Sequence, residues 1–367
     1  MHPIVFLKAN LLLIYTFILL IGTVGAQNKP DQELVVSKCW TYSIESGRSI
    51  AADSTRVYLS TTDAKVESLS LDGKKLWATE LGGDTASNIA VDDLGVYLVT
   101  ISPANGEKQA TASLRALSKD TGITGWNIKI GDSVDQTLAS SSAGLVVVSG
   151  SGIVQSIDPK TGSIRWKREL ATAFSGEPYV SGDKLMVASK SNQLFGVSLL
   201  TGEIGFMRKL SVDITTAGGT SGGDALAGDA YGNVTLLREG DGKAIWNYKS
   251  GGAIAEVRVV NGHALVTSND NFAYYLRLQN GGLAWKRRFA GRVTRVGLQD
   301  TTIALISSLE EHGATFINLS SGKSIGQIAF EGDEFMEADP VFVNGLILVL
   351  TNSRLAAYSL GACSLSR

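Results

Sequence analysis

DPKTGSIRW, residues 158–166, sets an aspartate, a Thr-Gly pair and a tryptophan at fixed offsets. Asp158 closes an apolar run, IVQSI, and its carboxylate can accept hydrogen bonds from the backbone N–H groups of the turn that follows. Gly162 supplies the positive φ that closes a hairpin without a Cβ clash. Trp166 stands four residues later, in the next extended run. The stretch therefore reads as a tight turn leading into a strand that carries one large flat ring. Such a ring buries about 200 Å² when it is sandwiched between layers.

The same arrangement recurs along the chain. A glycine stands four residues before an aromatic position at Gly73/Trp77, Gly122/Trp126, Gly162/Trp166, Gly202/Phe206, Gly242/Trp246 and Gly281/Trp285. A seventh copy, Gly322/Gly326, keeps the glycine and lacks the ring. Successive turn glycines are 49, 40, 40, 40, 39 and 41 residues apart, and the one long interval contains a polar insertion, SPANGEKQATA (102–112). Each unit of about 40 residues holds four short runs rich in Val, Ile and Leu, separated by Gly, Ser and Asp. TLAS, LVVVSG, IVQSID and SIRWKREL are the four runs of the third unit. Four strands per 40-residue repeat predict one antiparallel blade of a β-propeller per unit.

The ends of the chain complete the count. ADPVFVNGLILVLTNSRLAAYSL (338–360) supplies three strands of an eighth unit and no fourth. ELVVSKCWTYSI (33–44) offers a strand with Trp40 in the ring position and no preceding Gly turn. The expectation is an all-β fold over residues 33–367: an eight-bladed β-propeller of four-stranded antiparallel blades, its last blade closed by the N-terminal strand. Such closure removes free sheet edges. The chain has two cysteines, Cys39 beside Trp40 and Cys363 just past the final strand. In an intact blade these positions face each other across a hairpin, so a disulfide would stand in for the missing covalent turn. The chain-entropy model gives it about 5 kcal/mol at most. Two free thiols are the alternative.

Residues 1–26 differ from the rest. One lysine, Lys8, precedes the apolar run ANLLLIYTFILLIG, and small residues at Val24 and Ala26 follow. That order predicts a secretory signal peptide, residues 1–26, cleaved after Ala26. The alternative, an uncleaved anchor helix, is disfavoured because the run is short of the roughly 20 residues that span a bilayer. No cysteine stands near the cleavage point, so a lipid anchor there is not expected. The predicted location is periplasmic or secreted, with no integral membrane segment once the signal is removed. An even cysteine count suits that oxidising setting.

The 367 residues carry a formal net charge of −2, which argues against a nucleic-acid partner. Catalytic chemistry needs poised groups within reach of each other. His2 lies in the signal, and His263 and His312 lie at or beside turns, where a solvated or turn-packed role is expected. No Cys/His spacing suggests zinc. GGTSGGDALAG (218–228) lacks the lysine and following helix of a phosphate loop. EGDEFMEAD (331–339) holds Glu331, Asp333, Glu334, Glu337 and Asp339, without the spacing of a calcium loop, and reads as a solvated acidic turn. AEVRVV (255–260) and AGRVTRVG (290–297) place Glu256, Arg258, Arg292 and Arg295 on innermost strands that would line an axial channel. With Glu337 and Asp339 these residues are candidates for a polar binding funnel at the channel mouth, the alternative being a salt-bridged, water-filled channel.

SIDPKTGSIRW resembles the PQQ-like, or quinoprotein-type, β-propeller repeat, and VSLLTGEIGF, LSKDTGITGW and LREGDGKAIW are degenerate copies. The resemblance covers nearly all of the chain after the signal. Relatives of this type include quinone-dependent dehydrogenases, which commonly carry adjacent cysteines, an Asp base and Glu and Asn calcium ligands. They also include the non-catalytic propeller of the outer-membrane β-barrel assembly machinery, a scaffold with eight blades. This chain has no adjacent cysteines and no Asp/Glu/Asn set that matches the dehydrogenase pattern. The resemblance therefore implies an exported, non-catalytic interaction or scaffold propeller without a cofactor or metal, whose partner is another envelope or extracellular protein. A PQQ-dependent periplasmic dehydrogenase and an extracellular ligand- or polymer-binding sensor are the alternatives.

Overall fold

Val, Leu and Ile fill the middle strands of every repeat, and those strands are mostly buried, Gly144–Ser149 along its whole length and Arg56–Thr61 at every residue after Arg56. A strand buried on both faces must be packed between two other sheets. The computed structural model describes residues 33–103, 109–132, 135–141, 143–170, 173–239 and 241–363, and there it shows how this is met. The strands form eight antiparallel sheets, seven of them built from consecutive strands. Blade 1 spans Gly47–Ala52, Arg56–Thr61, Lys65–Ser70 and Lys75–Glu80. Blades 2 to 7 follow in order and end on the outer strands Thr124–Gly131, Ile164–Glu169, Ile204–Lys209, Ala244–Lys249, Leu283–Arg288 and Ser324–Ala329. The candidate signal, 1–26, and the tip of the insertion, 104–108, lie outside the described residues. Among those described, no helix is long and apolar enough to cross a membrane.

Blade 8 is built from both ends of the chain. Val36–Ser43 pairs antiparallel with Arg354–Leu360, which continues to Leu346–Leu350 and Val341–Val343. Cys39 and Cys363 are joined by a disulfide with a Cα–Cα distance of 5.5 Å, where the other blades have their hairpin turn.

The core lies between blades rather than within them. Tyr97, Val99 and Leu114 of blade 2 pack with Leu138, Leu145 and Ile157 of blade 3. Ile50, Val57 and Leu59 of blade 1 pack with Leu348, Leu350 and Leu355 of blade 8, covered by Trp40 and Tyr42. Two of the outer strands, IRWKRE and LAWKRR, are rich in Lys and Arg, which keeps their free edges from pairing with other strands.

Two details depart from regular repetition. The inner strand of blade 2 is split into Asp84–Thr85 and Ala90–Val91. Side chains replace the lost ladder bonds there: the Val99 N–H donates to Ser87 Oγ (2.9 Å) and the Ile89 N–H to Ser49 Oγ (2.8 Å). The inner strands of blades 4, 5 and 6, Phe174–Ser181, Ile214–Gly219 and Ile254–Val260, are stitched together by hydroxyls. Ser175 donates to the Ile214 carbonyl (2.9 Å) and Thr215 to that of Ile254 (2.6 Å).

Candidate functional site

Most of the repeated residues serve the ring. Asp158 accepts from the N–H groups of Lys160 (2.9 Å) and Thr161 (3.0 Å), fixing the turn. Gly162 has φ +74°, and the corresponding glycines, Gly73, Gly122, Gly202, Gly242, Gly281 and Gly322, lie between +64° and +82°. Each glycine has a second task. A Cβ on Gly202 would sit 2.6 Å from the Trp166 ring of the preceding blade, and one on Gly281 2.8 Å from Trp246. The same neighbour relation pairs Gly73 with Trp40, Gly122 with Trp77, Gly162 with Trp126, Gly242 with Phe206 and Gly322 with Trp285. The missing side chain is the seat of the neighbour's ring.

Each indole also donates its N–H to the turn on which it sits. The acceptors are the carbonyls of Leu71 for Trp40 (2.8 Å), Lys119 for Trp77 (2.8 Å) and Pro159 for Trp126 (3.1 Å). Trp166 donates to Leu199 (3.0 Å), Trp246 to Leu278 (2.7 Å) and Trp285 to Leu319 (2.7 Å). All six tryptophans of the chain are used in this way. At the seam between blades 7 and 8 the ring is absent and Gly326 stands in its place. A Cβ there would meet Leu34 at 3.3 Å, because the N-terminal segment passes over this strand. The Leu34 N–H donates to the Ile325 carbonyl (2.5 Å).

The axis carries the charge. Glu256 and Arg258 lie on the inner strand of blade 6, and the Arg258 guanidinium donates to the carboxylates of both Glu256 and Asp339. The second contact reaches past blade 7 to the segment entering blade 8. Burial pushes the Glu256 carboxyl above its usual range; Arg258 opposes this, and Asp339 and Glu177 add to it. Arg258 is itself held above its ordinary value, because the attraction of Glu256 and Asp339 outweighs its burial. Glu177 and Tyr179 of blade 4 face this cluster: Glu177 acts on Glu256, and the Tyr179 phenol, raised by burial, feels Arg258.

Arg295 takes a different part from the one its charge suggests. Its guanidinium donates to the main-chain carbonyls of Glu337 (2.7 and 3.2 Å) and Thr294 (3.1 Å), fastening blade 7 to blade 8. Arg292 precedes the inner strand Val293–Gln299 and stands exposed; its carbonyl accepts from the Leu309 N–H (3.0 Å), and its guanidinium has no polar partner among the described residues. The structure thus gathers Glu256, Arg258 and Asp339 into one ion cluster and leaves Arg292 outside it. It brings Glu337 to Arg295 through its main chain only. Within the acidic stretch 331–339, Arg354 pairs with Glu334 (2.6 Å) and Glu331 (3.0 Å), and Lys38 with Glu331 (3.2 Å). No group of three or more His, Cys, Asp or Glu side chains among the described residues has the geometry to hold a metal.

Sequence reading missed Glu177, whose signal was its place on an inner strand like that of Glu256. It also missed Leu309 and Phe335, which stand 61% and 52% exposed at the channel mouth. Together with Arg292, Arg295 and Glu337 they line a cleft of about 370 Å³ between blades 7 and 8. A quinone site of the dehydrogenase type does not fit these residues. Both cysteines are committed to the disulfide on blade 8, and the axial carboxylates Glu256 and Asp339 are tied to Arg258.

A family model described as outer membrane protein assembly factor BamB matches residues 22–150 and 110–328. Among solved structures, BamB from Moraxella catarrhalis superposes with a TM-score of 0.66 at 14% identity, over 89% of this chain and 98% of that one. The computationally designed Ika8 protein superposes with a TM-score of 0.73 at 12% identity, over 89% and 99% of the two chains. At these identities the likeness is one of fold. No curated protein matches the sequence.

Proposed function

Because the chain belongs to the family of outer membrane protein assembly factor BamB, we propose that it is an exported, non-catalytic propeller. It acts as a scaffold that docks a protein partner during protein assembly in the cell envelope. The observation that carries this reading is how the axial face is used. Glu256, Arg258 and Asp339 are spent on one another, whereas Leu309 and Phe335 at the cleft stay open to solvent. Paired exposed apolar side chains beside a cleft are the ordinary mark of a protein-binding surface. The basic residues on outer strands such as Ile164–Glu169 and Leu283–Arg288 keep those edges from associating indiscriminately.

The test sets the scaffold against the dehydrogenase. The mature chain is titrated with PQQ and Ca²⁺ while its thermal midpoint and dye reduction by alcohols and glucose are followed. The scaffold reading expects no shift and no reduction. A clear stabilisation by PQQ together with dye reduction would overturn it. Retention of glycans, with no envelope protein captured, would favour a polymer-binding role.

A further inference from the structure

We propose that the cleft between blades 7 and 8 takes an extended peptide segment of a protein partner, one that sets a carboxylate beside a large apolar side chain. This rests on the scaffold reading and gives its docking surface a chemistry. Three observations point to that occupant. Arg292 is exposed at the rim and its guanidinium is unpartnered among the described residues, so it offers a fork suited to a carboxylate. Leu309 and Phe335 line the same cleft with more than half of their surface in solvent. Ser308 in its wall is buried, and its hydroxyl has no partner among the described residues.

The charge balance favours an anion. Arg292 and Arg295 together outweigh the carboxylate of Glu337, leaving one positive charge in the cleft. Arg295 is already held by main-chain carbonyls through Nε, Nη1 and Nη2, so recognition falls to Arg292. A volume of about 370 Å³ holds two or three side chains, which suits a short peptide stretch and is small for a folded domain. Binding of this kind is weak for one short segment and gains strength from the rest of a partner surface.

The test uses the full mature chain and a fluorescein-labelled, amidated Gly-Glu-Phe-Leu-Gly peptide, followed by fluorescence polarisation. The expected result is saturable binding with Kd below about 1 mM. Replacing Glu by Gln in the peptide weakens it about fivefold or more, as do Arg292→Gln and Phe335→Ser. Glu337→Gln tightens it, because a repelling charge is removed. Both weakening variants alter exposed side chains, and an unchanged thermal midpoint verifies that they fold. No saturable binding at several millimolar, or equal binding by the Glu and Gln peptides or by Arg292→Gln, would overturn the proposal. A photo-crosslinking residue placed in turn at Leu309, Tyr231 and Leu200 of the exported chain separates the two levels. A partner protein captured from Leu309, and lost both on adding excess Glu peptide and in Arg292→Gln, supports the cleft. Capture only from Tyr231 or Leu200 overturns the cleft and leaves the scaffold standing. Capture from none of the three overturns both.

Discussion

Gly202→Ala and Gly182→Ala, both in blade 4, separate the two tasks of the turn glycines. Gly202 has φ +71° and Gly182 φ +59°, so alanine meets the same left-handed backbone penalty at both, about 1 kcal/mol. The gain from restricting the unfolded chain is also common to both. The surroundings differ. A Cβ on Gly182 meets nothing within 4 Å, whereas one on Gly202 lies 2.6 Å from two atoms of the Trp166 ring. Trp166 must move, which costs about 1–3 kcal/mol as overpacking and about 1 kcal/mol more for the strained indole bond to Leu199. Gly202→Ala should therefore lose about 3–5 kcal/mol and Gly182→Ala about 1 kcal/mol. Urea denaturation read by tryptophan fluorescence, at a common m-value, measures the difference. Equal losses in the two variants would show that the glycine serves the turn alone and that no ring is seated on it.

Further outcomes follow from the same geometry. Phe206→Trp should be tolerated or stabilise by up to about 1 kcal/mol in a thermal melt, since the carbonyl of Glu239 occupies the place of the other indole acceptors. Trp246→Phe should cost about 1–2 kcal/mol through loss of the bond to Leu278, and Trp246→Ala about 3–5 kcal/mol in the same assay. Arg258→Met leaves Glu256, Asp339 and Glu177 facing one another, and in a partly wet channel should cost about 1–3 kcal/mol at pH 7. With the cation gone, the Glu256 carboxyl is raised further, so folding favours its protonated form. The variant should approach wild type at pH 4 and lose stability as pH rises toward 8, in parallel urea titrations. Tyr42 donates to the buried carboxylate of Glu67 (2.9 Å), and burial together with that bond pushes its phenol up to about 12. Its contribution is complete below pH 10 and fades as pH approaches 12; the absorbance difference between wild type and Tyr42→Phe should rise there, and a rise near pH 10 would refute the contact.

The blades were legible because a hairpin is a local event. Asp158, Gly162 and Trp166 lie within nine residues, and their recurrence counts the sheets without any knowledge of long-range contacts. Closure was legible for a different reason: Trp40 and Cys39 in a strand without its turn left one possible place for it. The second task of the glycines was hidden, since the ring that each one seats belongs to the preceding repeat, some 36 residues away. Gly326 lacks a ring where Leu34 lies across it, a contact between the two ends of the chain that no local pattern reveals.

The axis was read only in part. Inner-strand position makes Glu256 and Arg258 candidates for the axis, and the structure pairs them there on one inner strand, but strand position does not fix where a long side chain ends. Arg295 turns to carbonyls and Arg292 stays at the rim, though both sit in one short stretch, AGRVTRVG. Leu309 and Phe335 gave no warning, because an apolar residue next to a turn looks the same in sequence whether a neighbour covers it or not. The break in blade 2 depends on Ser87 and Ser49 supplying the lost bonds, a substitution that only the partner strands reveal.

Closure of the ring is tested most directly by mapping the cysteines of the exported chain after alkylation without reductant. The account predicts a single cross-linked proteolytic fragment that joins the peptide of Cys39 to that of Cys363 and separates on reduction. Two alkylated free thiols in the folded protein would contradict it.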